Sequence, residues 1–459
     1  MADSVSINPA TGEELARYPL MEGAEVEAVV ERAFRASSDW DVIGLAGRCE
    51  RLRTLGQVLT ARRDSLARLI TLEMGKPITA ALAEVDKCAH LCGWYADHAS
   101  GLLADEHPDV GDENAVIRYR PLGVILAVMP WNFPIWQVLR AAVPIMAAGN
   151  GFILKHAENV QGCARALADC FTEAGFEEGT FALVHADRAT VQGLLADPRV
   201  AGLTVTAGVG AGAALAAEAG RNLKKSLLEL GGSDPFIVLA DADLDAAVAT
   251  AVTSRFQNCG QVCIAAKRII VERPVAEGFI RRFVAAVEAL RVGDPLDPQV
   301  QMGPMSRPRL RAELHDQIER SVAMGARLVT GGVMPDGPGA YYPPTVLVDV
   351  PADAPVWREE TFGPVAPIVI ADDAASAIRI ANDSPFGLSA ALWSGDIERA
   401  EALAPNINTG AVFINGMSVS DPRVPIGGIK HSGYGRELSH FGVKEFTNAQ
   451  LVWTKGGAR

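Results

Sequence analysis

Short apolar runs alternate with longer stretches of helical periodicity along most of this chain. Between residues 122 and 206 the runs "LGVILAVM" (122–129), "GFILK" (151–155), "TFALV" (180–184) and "GLTVT" (202–206) are separated by helix-like patterns such as 159–174 and 187–197. The runs are apolar at successive rather than alternate positions. Strands made from them must be covered on both faces, which is the condition of a parallel sheet in a βαβ chain. The rhythm restarts after residue 232 with "PFIVLA" (235–240), "KRIIVE" (267–272), "APIVI" (366–370) and "AVFI" (411–414). The pattern therefore predicts an α/β protein with two successive parallel-sheet domains. "MPDGPGAYYPP" (334–344), dense in Pro and Gly, reads as a surface loop within the second.

Composition narrows the partners. With 459 residues, 49% of them hydrophobic, the chain has material for more than one packed core. A formal net charge of −13, without a Lys/Arg stripe interleaved with aromatics, argues against nucleic acid and against an anionic membrane. The N-terminal "MADSVSINPATGEELARY" has neither a basic n-region nor an apolar h-region, and Pro and Gly break the apolar runs before they reach spanning length. A cytoplasmic location follows as an expectation. Seven cysteines are too few, and odd in number, for a disulfide framework, so free thiols are expected.

Chemistry concentrates in "FQNCGQVCIAAK" (256–267), where Cys259 and Cys263 flank a Gly-Gln pair. Zinc would require two further Cys or His ligands at compact spacing, and none lies nearby, so no metal site is expected. In "CAHLC" (88–92) a helical pattern puts Cys88 and Cys92 on one face, the plainer reading being a packed apolar face. Cys263 reads as a nucleophile. Gly260 lets the backbone pass close to a ligand, and a Cys in such a loop can offer its sulfur and its own N–H to one atom.

The motifs "LEMGKP" (72–77), "PWNFP" (130–134), "LELGGSDPF" (228–236), "GQVC" (260–263), "EETFGP" (359–364) and "PIGGIKHSGYGRE" (425–437) stand in the order seen in the aldehyde dehydrogenase superfamily. The resemblance runs over essentially the whole chain. Within the superfamily, "PWNFPIWQVLR" and "ILKHAEN" make it most similar to the bacterial NAD-dependent succinate semialdehyde dehydrogenases. The implied organisation is a Rossmann-like dinucleotide-binding domain (1–102 and 122–231), a catalytic domain (232–445) and an oligomerisation segment (103–121 and 446–459). A homodimer or homotetramer is expected.

The resemblance also implies roles. Cys263 matches the nucleophile that turns an aldehyde into a thiohemiacetal; since a thiol with a pKa of about 8.5 is only slightly ionised near neutrality, its site must help it lose the proton. Asn132 matches the side-chain donor to the oxyanion, beside the Cys263 N–H, and one such donor is worth on the order of 3 kcal/mol. Glu229 matches the general base that activates water against the thioester. Taken alone, Asn132 reads as a turn residue between prolines and Glu229 as a solvated helix-end charge. The CoA-acylating branch typically lacks the glutamate, so hydrolysis is favoured over transfer to CoA. A catalytically silent relative would lack one of the three residues.

For the cofactor, expected to be NAD with NADP as the alternative, Lys155 and Glu158 match the residues at the adenosine ribose, and Glu360 and Phe362 those at the nicotinamide. Trp131, Gly208, Gly212 and Leu230 complete the implied set. The phosphate turn departs from the family's Thr-Gly-Ser: here it reads Thr206-Ala207-Gly208, leaving backbone N–H groups to meet the pyrophosphate. Glu158 would repel a 2′-phosphate and so favour NAD. Arg140 matches a substrate-carboxylate arginine, eight residues beyond Asn132, with Trp136 one turn earlier, Gln257 where some members carry a second arginine, and Ser420 alongside. The implied substrate is a small carboxylated aldehyde. The plainer reading of Arg140 is an Arg paired with an internal acid or turned to solvent. Cys259 is either an ordinary loop thiol, the plainer reading, or a disulfide partner for Cys263.

Overall fold

The apolar runs become strands of two sheets, inner ones except for Phe181–Leu183 and Val412–Ile414, which lie at sheet edges. A computed structural model describes residues 3–111 and 113–455. Across its six-stranded sheet the order is Gly433–Tyr434, Lys225–Glu229, Val200–Thr206, Val124–Met129, Gly151–His156 and Phe181–Leu183. All neighbours are parallel except Gly433–Tyr434, which returns from late in the chain to pair antiparallel with Lys225–Glu229. Successive strands build outward in one direction from Val124–Met129 and then, from Val200–Thr206, in the other. That reversal opens a crevice at the carboxyl ends of these two strands, where α/β sheets bind ligands. "PWNFP" leaves one of them and the phosphate turn the other.

The seven-stranded sheet runs Arg327–Thr330, Thr345–Val348, Val365–Ala371, Ala266–Glu272, Asp234–Val238, Ala390–Trp393 and Val412–Ile414. Only its first pair is antiparallel. A separate two-stranded sheet joins Asn114–Pro121 to Thr447–Thr454 over eight residue pairs, and a hairpin joins Ser4–Ile7 to Glu14–Tyr18. The expected oligomerisation segment thus holds a sheet of its own; its residues 112 and 456–459, like residues 1–2 of the first domain, lie outside the described ones. The α/β fold with two parallel-sheet units and a small separate sheet is as the sequence predicts.

Three readings need correction. Lys225–Glu229 is a strand, so Glu229 is not a solvated helix-end charge but the buried last residue of that strand. The 187–197 helix shortens to Arg188–Gly193 with a 3-10 turn at Leu194–Ala196. The 334–344 loop is not simply superficial: Ala340 and Tyr342 are fully buried, and the Ala340 N–H donates to Pro9 O at 2.7 Å. Cys88 and Cys92 are wholly buried on the inner face of the helix Ile78–Leu102, the packed face expected of them. Among the described residues no helix is long and apolar enough to cross a membrane.

Candidate active site

The nucleophile loop is fixed by backbone that few residues adopt. After the helix Leu244–Phe256, Asn258, Cys259 and Gly260 take φ of 51°, 55° and 70° in succession. A Cβ on Gly260 would lie 2.3 Å from Gly363 O, so glycine alone lets this loop press against the "EETFGP" loop. Gln261, fully buried, ties the turn down: its Nε2 donates to Asn258 O at 3.2 Å and its Oε1 accepts from the Ser306 N–H at 2.9 Å. Cys259 packs into the core with 1% exposure, and burial raises its thiol pKa. That is the setting of an inert thiol. Cys263, by contrast, is partly exposed, and all seven cysteines are free.

Asn132 reaches this loop from the other sheet. Its Nδ2 donates to Gln261 O at 3.0 Å, two residues before Cys263, and that amide keeps a second N–H for an oxyanion. Asn258 Nδ2 donates to Asn132 O at 2.9 Å, locking the two segments reciprocally. The helix Trp136–Ala147 that follows is held at its start by Glu84, whose Oε1 accepts the Ile135 and Trp136 N–H groups at 2.9 Å each. Lys76, from "LEMGKP", pairs with Glu84 and lies 3.5 Å from the Phe133 ring centroid.

Arg140 sits one turn beyond Trp136 on this helix with 2% exposure. Its Nε is in ionic contact with Glu437, and its Nη2 lies 3.9 Å from Glu229 Oε2 without a hydrogen-bond acceptor. The internal acid partner therefore exists, and it is Glu437, the last residue of the "PIGGIKHSGYGRE" motif. Burial opposes the Arg140 charge, but Glu437 and Glu229 outweigh it and hold the guanidinium ionised. Glu229 is pushed above the usual carboxylate range by burial, against the pull of Arg140, and its Oε1 has no hydrogen-bond partner. For Cys263, burial pushes the thiol up to about 11 while Arg140 and Lys267 draw it down. At rest the sulfur holds its proton, and a neighbouring base must remove it.

The residues expected to meet a cofactor come from several elements of both sheets. Glu360 is gripped by Lys267 and accepts the Gly232 N–H at 3.0 Å. Trp131 and Phe362 stand edge to face at 5.7 Å. Gly208 caps the helix Val209–Arg221, and open space surrounds it. Gly212 packs against Leu230, whose Cδ2 would lie 2.3 Å from a Cβ there and would have to move aside for one. Lys155 is half-buried near the end of its strand; burial lowers its pKa, Glu158 opposes that, and Arg188 and Arg307 reinforce it. Glu158 is exposed at the opening of the following 3-10 turn. The backbone N–H groups at residue 209 onward, the orphaned buried Thr206 Oγ1 and the Lys155/Glu158 pair form a donor and acceptor set that fits a dinucleotide.

Trp136 and Ser420 meet through a residue that the sequence reading missed, Lys87. Its Nζ lies 4.0 Å from the Trp136 ring centroid and 2.9 Å from Ser420 Oγ. Gln257 is half-buried at the end of its helix. Glu437 and Lys267 were also missed, although one closes a motif already recognised and the other follows Cys263 by four residues.

The model of the aldehyde dehydrogenase family matches residues 2–452. A succinate semialdehyde dehydrogenase [NAD(P)+] of Escherichia coli is 53% identical over 450 residues, covering 98% of this chain and 97% of that one. A probable succinate-semialdehyde dehydrogenase [NADP(+)] of Synechocystis is 49% identical over 98% of this chain and 99% of its own. The crystal structure of succinic semialdehyde dehydrogenase from Streptococcus pyogenes in complex with NADP+ superposes with a TM-score of 0.96 at 38% identity, over 98% of this chain and 99% of that one. The chain belongs to the aldehyde dehydrogenase family and is an oxidoreductase.

Proposed function

We propose that the enzyme oxidises succinate semialdehyde to succinate through a thiohemiacetal and a thioester on Cys263. The observation that carries this reading is the grouping of Cys263, Glu229 and Asn132 around a buried arginine with an unsatisfied donor, Arg140 Nη2. Glu229 takes the Cys263 proton, and the sulfur attacks the aldehyde carbon. The oxygen of the adduct becomes an oxyanion held by the free N–H of Asn132 and the Cys263 N–H. Trp131, Lys155, Glu158, Gly208, Gly212, Leu230, Glu360 and Phe362 would hold NAD(P), which supplies the hydride acceptor. Glu229 passes the thiol proton to solvent and, ionised again, takes a proton from water; the water oxygen bonds to the thioester carbon, and the carbon–sulfur bond breaks to release the acid and return the Cys263 thiolate. At the substrate's far end, Arg140 Nη2, Trp136 and Ser420 favour a carboxylate, with Gln257 beside the loop.

Exposed Glu158 supports NAD as the preferred dinucleotide; Lys155, Arg188 and Arg307 nearby temper its repulsion of a 2′-phosphate, so NADP is the secondary cofactor. Free thiols support a cytoplasmic setting, and the exposed apolar residues of Thr447–Thr454 support a homo-oligomer. The test is kcat/KM for succinate semialdehyde, butyraldehyde and benzaldehyde, each with NAD and NADP, with and without CoA. Succinate semialdehyde with NAD should be highest and indifferent to CoA. Equal or better turnover of butyraldehyde would overturn the substrate; equal or better turnover with NADP would overturn the role of Glu158.

A further inference from the structure

The cations of the site are not equally available to a substrate. Arg140 stands between Glu437 and Glu229, so its charge is answered from within the protein even where one N–H remains unbonded. Lys267 is gripped by Glu360. Lys87 differs from both. It projects from the helix Ile78–Leu102 and is partly buried, and among the described residues no carboxylate comes within ion-pair distance of its Nζ. What its ammonium touches instead is neutral: the Ser420 hydroxyl at 2.9 Å and the face of Trp136 at 4.0 Å. An ammonium withdrawn from water normally finds a counter-charge, because the lost hydration must be replaced.

We propose that Lys87 is the cation that receives the far-end carboxylate of the aldehyde substrate, held for it by the Trp136 ring and the Ser420 hydroxyl. The inference rests on the reading of the substrate as a carboxylated aldehyde. It adds a residue from a different helix to the recognition of that group. Trp136 orients the ammonium by cation–π attraction without neutralising it, and Ser420 accepts one of its three hydrogens, leaving two for the carboxylate. Trp136 lies one turn before Arg140, so the ammonium and the guanidinium bound the same end of the site, and their fields act on each other. Burial and then Arg140 lower the Lys87 pKa to about 8, against Cys88, Glu84 and Asp421, as fits an ammonium short of counter-charge. An incoming carboxylate supplies that charge and relieves the repulsion between the two cations.

The experiment compares wild type, Lys87→Met and Lys87→Arg by kcat/KM for succinate semialdehyde and for butyraldehyde, which has the same carbon count and no carboxylate. Met keeps an apolar stem against Trp136, and turnover of butyraldehyde reports that each variant is folded. The ratio of the two kcat/KM values should fall by roughly 10- to 100-fold in Lys87→Met, through KM for the carboxylated substrate, and recover to within a few-fold of wild type in Lys87→Arg. An unchanged ratio in Lys87→Met, with or without a lower melting temperature, would make Lys87 a strap between its helix and the Ser420 loop and overturn the proposal. A wild-type ratio near one would instead remove the carboxylated substrate itself, and the inference with it.

Discussion

At Arg140 a single guanidinium faces Glu437 and Glu229, and its field also reaches the Cys263 thiol. Glu229, the proposed base, is one of the groups that its loss would disturb. Burial pushes that carboxylate up, and Arg140 is the chief opposing influence, while Glu437 pushes the same way as burial. Arg140→Ala should therefore raise the Glu229 pKa further. A general base acts only when deprotonated, so activity set by Glu229 is present above its pKa and lost as pH falls through it. The acidic limb of the kcat profile should move to higher pH in Arg140→Ala, and neutral butyraldehyde should lose activity near pH 7 along with succinate semialdehyde. Profiles of kcat against pH for both substrates provide the check. An unmoved limb, with loss confined to the carboxylated substrate, would mean that Arg140 serves the substrate alone.

Among the elements, the turn at 258–260 has little freedom to change. Gly260→Ala would combine a left-handed φ of 70° with a Cβ 2.3 Å from Gly363 O, a backbone atom that cannot step aside. A cost of at least about 2 kcal/mol is expected, seen as a lower melting temperature, with kcat falling roughly tenfold or more as Cys263 and the Phe362 loop shift together. Wild-type melting and turnover in the variant would show that the turn tolerates repacking. The elements that build this region were unevenly legible in the sequence. Val124–Met129 and Ala266–Glu272 announce themselves through successive apolar residues. Lys225–Glu229 does not, because it opens on Lys and Ser and closes on a glutamate, and Ala390–Trp393, with two alanines, carries little β signal. Cys263, Glu229 and Asn132 stood out as members of motifs. Lys87, in "AEVDKCAHLC", did not, since a lysine on a helix ordinarily points to solvent and only its packing on Trp136 distinguishes it.

For the whole molecule, the two-stranded sheet leaves Thr447–Thr454 paired on one side only, with Leu451, Val452 and Trp453 at 52%, 41% and 51% exposure. An apolar strand with a free edge is a surface for another chain. Light scattering after size exclusion should give a dimer or tetramer for wild type and a smaller species for Leu451→Glu; a wild-type monomer would remove this role. The antiparallel return of Gly433–Tyr434 onto Lys225–Glu229, with Glu437 a few residues beyond, has a consequence for biosynthesis. Asn132, Arg140, Glu229 and Cys263 all leave the ribosome well before the segment that covers Glu229 and gives Arg140 its counter-ion. Domains form from the N-terminus as the chain emerges, so a nascent polypeptide carries Cys263 and Glu229 before the segment that frames them electrostatically has arrived. On the proposed roles of these residues, aldehyde chemistry would wait for residues 433–437 to emerge, and a chain terminated before them would bear Cys263 without the counter-ion of Arg140.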